Sequence, residues 1–209
     1  MAKIETKKIE WNAPENIKAY ITTRIGGSSK DRYQSSNMSA DVGDLKTAVN
    51  KNREDIRKSL SLPSDPSFMK QIHGTNIEYL ITPKKNIICD GSYTDRKEVV
   101  LAVLSADCLP ILFTNTTGTI AGVLHVGWRG LHKNLIEKFI KKMKIDPSEI
   151  IVSIGPSISQ KHYQVREDVY IKLKSVSPNI FKKLDDLHWS LNLASAAKII
   201  LTKIGINKI

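Results

Sequence analysis

The stretch Val99–Val126, VVLAVLSADCLPILFTNTTGTIAGVLHV, decides the fold. It holds three runs rich in Val, Ile and Leu, Val99–Leu104, Ile111–Thr114 and Thr119–Val126, each bounded by turn-forming residues, and each reads as a strand. Ile17–Thr23, Asn76–Ile81 and Ile150–Ile154 read the same way. Helical spacing appears in Thr47–Leu60, where Val49, Ile56 and Leu60 are apolar among charges and Pro63 follows the end. It returns in Leu131–Met143, whose Leu131, Leu135, Ile136, Phe139, Ile140 and Met143 share one face opposite a lysine-rich one, and more weakly in Val165–Val176 and Leu193–Ile204. Strands in runs, with helices between groups rather than in strict alternation, predict an α+β fold. The expected form is a single-domain layered sandwich over residues 1–209, a mixed β-sheet with flanking helices.

Composition agrees with this. A chain of 209 residues that is 41% hydrophobic can bury an ordinary core, and it contains no internal repeat or long Pro/Gly/Ser linker. Lys and Arg outnumber Asp and Glu by 32 to 21, a formal charge of +11. The excess is scattered, as in Lys84-Lys85, Lys141-Lys142-Lys144 and Lys182-Lys183, so it reads as a solvated surface that attracts anions such as phosphate rather than as a nucleic-acid face. The opening MAKIETKKIEWN has no apolar core of a secretory leader, and no apolar run approaches the roughly 20 residues of a membrane span. A cytoplasmic protein with free thiols at Cys89 and Cys108 is therefore expected.

Three short segments combine metal-binding side chains with glycine or acidic neighbours: Lys70-Gln71-Ile72-His73-Gly74, Ser105-Ala106-Asp107-Cys108-Leu109-Pro110 and His125-Val126-Gly127-Trp128-Arg129-Gly130. Each lies at an expected strand end, from which a sheet can aim one side chain into a cleft. Imidazole nitrogen and thiolate sulfur are ligands that zinc prefers. Spacing alone leaves two readings open, because no C-x-x-C or H-E-x-x-H pattern is present. A histidine after a polar Gln is commonly a surface residue, and a cysteine beside a β-run a small core residue.

These segments do not stand alone. Thr22-Thr23-Arg24-Ile25-Gly26-Gly27-Ser28, Ser36-Asn37, Val42-Gly43-Asp44 with Asn52-Arg53, Asp90-Gly91 with Thr94, and Ile154-Gly155-Pro156 accompany them in order. Together they resemble the YfiH or laccase-domain family, which includes peptidoglycan editing factors. The resemblance implies a zinc ion held by His73, Cys108 and His125, with a fourth position left for water or substrate. It implies a zinc-dependent purine nucleoside phosphorylase, cleaving adenosine, inosine, guanosine and methylthioadenosine with phosphate, and with possible adenosine deaminase activity. The partners are then a purine nucleoside and phosphate, in a monomer or homodimer. Copper is the less expected metal: a multicopper oxidase needs roughly ten histidines and the chain has five. A peptidoglycan-precursor editing hydrolase and an inactive basic binding module are the alternatives.

Phosphorolysis needs a phosphate holder, and the candidates are Arg24 with Gly26, Gly27, Ser28 and Asn37. Guanidinium offers a bidentate fork and a glycine turn offers bare N–H groups, although a plain tight turn is the competing reading. Asp107 and Asp90 are candidates for proton transfer, with a structural role as the competing reading for each, and Asp107 could instead orient a ligand or cap its turn. Arg129 beside Trp128 is a catalytic or anion-binding candidate, or a brace for the His125 loop. Where the family often carries cysteines after Gly-Pro, this chain reads Ser157-Ile158-Ser159-Gln160-Lys161-His162-Tyr163, which argues against a second metal or redox role there. Relatives are also expected to run beyond Gly205-Ile206 into a segment with a cysteine, an aromatic pair and a Tyr-Arg-Arg-like motif, which the sequence to Ile209 lacks.

Overall fold

The computed structural model describes residues 4–209, so Met1, Ala2 and Lys3, the start of the segment read for a leader, lie outside the described residues. A central five-stranded sheet runs in the order β10 (Ile150–Ile154), β8 (Leu109–Asn115), β9 (Ala121–Val126), β6 (Gly91–Thr94) and β4 (Ile77–Tyr79). Its neighbours are antiparallel except β4 and β6, which makes it a mixed sheet. A parallel sheet of β5 (Ile87–Ile88), β3 (Ser67–Lys70) and β7 (Leu101–Ala102) covers one face. Two smaller antiparallel sheets complete the set: β1 (Thr6–Lys8) with β2 (Tyr20–Thr22), and β11 (Gln164–Arg166), β13 (His188–Leu191) and β12 (Phe181–Lys183). The helices are α1 (Lys46–Ser59), α2 (Trp128–His132), α3 (Leu135–Met143), α4 (Glu167–Leu173) and α5 (Leu193–Ile204). The expected α+β class with flanking helices is what the chain adopts.

Side-chain alternation along a strand explains how the layers form. Leu124 and Val126 of β9, with Leu109, Ile111 and Phe113 of β8, point to the face covered by α2, α3 and α5. Val123 and Leu112 point the other way, into a second cluster with Met69, Leu80, Ile87, Cys89 and Val99 beneath the parallel sheet. Phe139 of α3 sits on two glycines. A Cβ added at Gly122 would lie 2.8 Å from its ring, and one added at Gly91 3.0 Å. Without side chains at those points the helix packs close to the sheet. A third cluster joins Ile56 of α1 to Ile4 and Met38, with Phe68 and Leu104 against it.

Several elements depart from the sequence expectations. Leu131–Met143 is not one helix: Asn134 takes a left-handed φ of 56° and divides it into α2 and α3. Asparagine tolerates that conformation better than most residues, and the apolar spacing on both sides continues across the break. Val165, expected to open a helix, is in β11, because Gln164–Arg166 pair with His188–Ser190 and tertiary pairing overrides local spacing. Only Leu101–Ala102 of Val99–Leu104 forms a strand. The short strands β1, β3, β5, β6, β12 and β13 lie outside the expected strands; β3 and β6 lack the unbroken apolar runs of β8 and β9, with burial spread over Ser67, Gly91, Ser92 and Thr94.

Leu193–Ile204 forms the expected helix with the expected bounds. The Asn192 side chain accepts the Ser195 N–H at 2.9 Å, and Gly205 closes the helix at φ 101°. Asn192→Ala is expected to lower stability by about 1 kcal/mol, read as a shift of the urea midpoint at unchanged slope. No shift would mean that solvent caps the helix equally well. Among the described residues, no helix is long and apolar enough to cross a membrane.

Candidate metal centre

His73, Cys108 and His125, 52 residues apart from first to last, meet at one end of the central sheet. Their ligand atoms lie within 4.8 Å of one another, and they form the one such group found among the described residues. Strand geometry accounts for two of them. His125 shares with Val123 the face of β9 turned away from the helices, and it is paired in register with Pro110 of β8. Cys108 precedes β8 by one residue and has the same parity as Pro110 and Leu112, so its thiol points to the same side.

His73 arrives from the other sheet. The Gln71 side chain donates to the Leu104 carbonyl at 2.8 Å and accepts the Leu104 N–H at 2.7 Å, fixing the chain beyond β3 to the chain beyond β7. His73 then adopts a left-handed φ of 56°, which a histidine holds only when its surroundings over-determine it. That restraint is Asp90, fully buried one residue before β6. Its Oδ1 accepts the His73 N–H at 2.9 Å and its Oδ2 accepts the Gly74 N–H at 2.7 Å. The same Oδ1 lies 3.0 Å from His125 Nδ1. One carboxylate therefore positions both histidines. With the Nδ1 proton directed at Asp90, His125 presents Nε2 to the cluster.

Electrostatics follow from this geometry. Burial raises the Asp90 carboxyl pKa, but hydrogen bonds from His125, Gly74 and His73 outweigh it and hold the group below the ordinary carboxylate range. Burial lowers the pKa of His125, only 5% exposed, yet the Asp90 bond and the neighbouring Cys108 lift it to about 9. His73 is pushed down, first by burial and then by the positive charges of His125 and Arg129. A metal ion competes with protons for these same lone pairs.

The donor set fits a zinc-type ion. Tetrahedral bonds of ~2.0 Å to nitrogen and ~2.3 Å to sulfur put neighbouring ligand atoms about 3.5 Å apart. Cys108 Sγ lies 3.8 Å from His73 Nε2, and the two imidazole rings meet edge to face at 4.8 Å between centroids. His73 is exposed and Cys108 half-buried, so the cluster opens to solvent on one side. Gly127 supports it from the other: an added Cβ would lie 2.8 Å from Cys108 Sγ and 3.5 Å from the His73 ring.

The remaining candidates fall into two groups. Asp107 is exposed on the rim beside Cys108, and its carbonyl accepts the Ile158 N–H at 3.0 Å. Arg129 is also exposed, its guanidinium 4.5 Å from the centre of the Trp128 ring. Arg24, Gly26, Gly27, Ser28 and Asn37 belong to a separate network, with no hydrogen bond to the cluster among the described residues. Two Arg24 nitrogens donate to the Gln34 carbonyl, at 3.1 and 2.8 Å. The Gly27 and Ser28 N–H groups, expected to be bare, are taken by Ser35 Oγ and by buried Asn52, and the Asn37 side chain is held by Ser39 and Asp44.

Two residues near the cluster carried no signal of their own in the sequence. Tyr163 is half-buried, and burial together with Cys108 and Asp107 pushes its hydroxyl up to about 12 against the opposing pull of Arg129. It stands in the segment that departs from the family pattern, and its neighbours in the chain do not say what it faces. Lys172 of α4 reaches the Trp128 ring at 5.2 Å. Only its helical position, which the sequence does not relate to Trp128, could have indicated it.

An α+β chain with a two-histidine, one-cysteine cluster at its sheet ends defines a class of candidate metalloprotein, and sequence comparison gives the family. A model described as multi-copper polyphenol oxidoreductase laccase matches residues 18–209, and the chain belongs to this laccase-like, YfiH-type family. A purine nucleoside phosphorylase of Haemophilus influenzae is 37% identical over 204 residues, covering 95% of this chain and 84% of the relative. The purine nucleoside phosphorylase YfiH of Escherichia coli is 35% identical over 161 residues, covering 77% of this chain and 66% of its own length. Among solved structures, a protein from Neisseria meningitidis superposes with a TM-score of 0.88 at 34% identity, covering 96% and 84% of the two chains. YlmD from Geobacillus stearothermophilus gives 0.84 at 28%, covering 99% and 86%.

Proposed function

We propose that the chain is a zinc-dependent purine nucleoside phosphorylase, acting on adenosine, inosine, guanosine and methylthioadenosine, with adenosine deamination as a second reaction at the same centre. The observation that carries this reading is the convergence of His73, Cys108 and His125 on one solvent-accessible point, in a chain whose relatives are named purine nucleoside phosphorylases. Two imidazoles and one thiolate leave one tetrahedral position open, as in catalytic rather than closed structural sites. Five histidines in the whole chain, two of them in the cluster, favour zinc over a multicopper centre despite the family's description.

When bound, zinc supplies Lewis acidity and lowers the pKa of a coordinated water to about 7. The protein does the rest. Asp90 fixes the tautomer of His125 and the backbone turn of His73. Gly127 leaves room for the Cys108 sulfur, and Asp107, exposed beside Cys108, is the candidate for exchanging a proton with the substrate. In phosphorolysis a phosphate oxygen bonds to the ribose carbon as the glycosidic bond breaks, and the purine nitrogen takes the electron pair and a proton. In deamination water adds at the carbon bearing the amino group, and ammonia leaves.

The test is product analysis with adenosine. Ribose 1-phosphate and adenine, formed only when inorganic phosphate is present, are expected; inosine formed without phosphate reports deamination. No turnover of any of the four nucleosides by zinc-loaded protein would sink the reading and leave the cell-wall precursor hydrolase as the enzyme to test.

A further inference from the structure

Arg129 has no counter-ion among the described residues. Among the described residues its guanidinium makes no ion pair and no hydrogen bond, although five N–H donors are available. What holds it is the Trp128 ring, 4.5 Å away, and the same ring lies 5.2 Å from Lys172 Nζ. Two cations gathered on one indole repel each other, and an anion between or beside them offsets that repulsion. The nearest carboxylate to Lys172 is that of Asp168, 4.0 Å away on the same helix and largely exposed. The arrangement is anchored: His132 Nδ1 of α2 lies 3.3 Å from the Lys172 carbonyl of α4, which ties together the two helices that carry the cations.

Arg129 also has a defined place. Gly127, two residues before it, lies against the Cys108 sulfur, one of the candidate ligands. The Gly155 N–H donates to the Pro110 carbonyl at 2.8 Å and the Ile158 N–H to the Asp107 carbonyl at 3.0 Å, so the strip leading to Tyr163 is fastened to the Cys108 loop. The Tyr163 hydroxyl has no hydrogen-bond partner among the described residues, yet it is not sealed from solvent. Arg24, by contrast, directs two nitrogens at a main-chain carbonyl of its own loop.

We propose that Arg129 and Lys172, braced on Trp128, form the phosphate-receiving side of the metal centre. A guanidinium fork gives a phosphate two parallel hydrogen bonds, and the lysine adds a point charge. This deepens the phosphorolysis reading by naming where the second substrate binds, and in that respect it rests on it. The bidentate residue dominates. The lysine, already facing Asp168, contributes less.

The experiment uses the full chain loaded with zinc, with Arg129→Gln and Lys172→Gln, and Lys97→Gln, exposed in the turn after β6, as a control for net charge. Inorganic phosphate is titrated calorimetrically without nucleoside, and phosphate KM and nucleoside KM are measured separately. Arg129→Gln is expected to raise the phosphate Kd and KM about tenfold, Lys172→Gln about threefold, and Lys97→Gln hardly at all, with zinc content and nucleoside KM unchanged. A phosphate Kd in Arg129→Gln equal to that of the wild type overturns the proposal. If phosphate binding depends on Arg129 but no nucleoside is cleaved, this inference stands and the phosphorolysis reading falls. If nucleosides are cleaved and the phosphate KM ignores both substitutions, the reading stands and this inference falls. A wild type that neither binds phosphate nor turns over removes both.

Discussion

Cys108→Ala is expected to strip the protein of its metal while leaving it folded. Wild-type protein refolded or dialysed with zinc should carry about one ion per chain, and the variant well below that, because two histidines alone make a weak site. Activity should fall by more than the ~100-fold that follows from disturbing a group merely supporting a ligand. The thiol is half-buried at the cluster's open side, outside the main apolar clusters, so its truncation leaves no core cavity. Far-ultraviolet circular dichroism should be unchanged. Alkylation supplies a second readout without activity. Cys89 is sealed in the core with its thiol pushed up to about 12 by burial, so iodoacetamide reports on Cys108 alone. Zinc-loaded protein should resist labelling, and chelator-treated protein should take one label. Equal zinc in wild type and variant would sink the ligand assignment.

The candidate ligands could be placed at strand ends from the sequence because their surroundings were legible. Cys108 and His125 sit in or beside long apolar strands whose period of two decides which face each side chain takes. The α5 helix was legible down to its ends because its signals, Asn192 before and Gly205 after, are local. Interruptions that depend on tertiary structure were not. The break at Asn134 needs one backbone angle that apolar spacing does not register, and β11 exists only because β13 lies beside it. In the site, long-range partners were hidden in the same way. Nothing near Asp90 in the chain says that it will face His73 and His125, and nothing in α4 says that Lys172 will reach Trp128.

Asp90 carries the second large effect, and its variant separates the proton transfer for which the sequence made it a candidate from the positioning that its hydrogen bonds show. Asp90→Asn keeps the shape but replaces one acceptor oxygen by a donor. Oδ1 already receives His125 Nδ1 and the His73 N–H, and Oδ2 receives the Gly74 N–H at 2.7 Å with the Ile72 N–H farther off at 3.4 Å. Whichever way the amide is turned, its NH2 meets an N–H, and one buried donor loses its partner. That loss should cost about 1–3 kcal/mol of stability. The larger consequence is at the metal. Without the carboxylate, the His125 tautomer is no longer fixed and its basicity falls, so zinc affinity measured by chelator competition should drop ~10–100-fold. At saturating zinc most of the activity should return, since a positioning residue acts through the ligands it holds and Asp90 itself is closed to solvent. If instead zinc affinity is unchanged and kcat stays low at saturating metal, Asp90 takes part in proton transfer, and burial has misled the assignment. If neither stability nor zinc affinity moves, the carboxylate is not what holds the two histidines together.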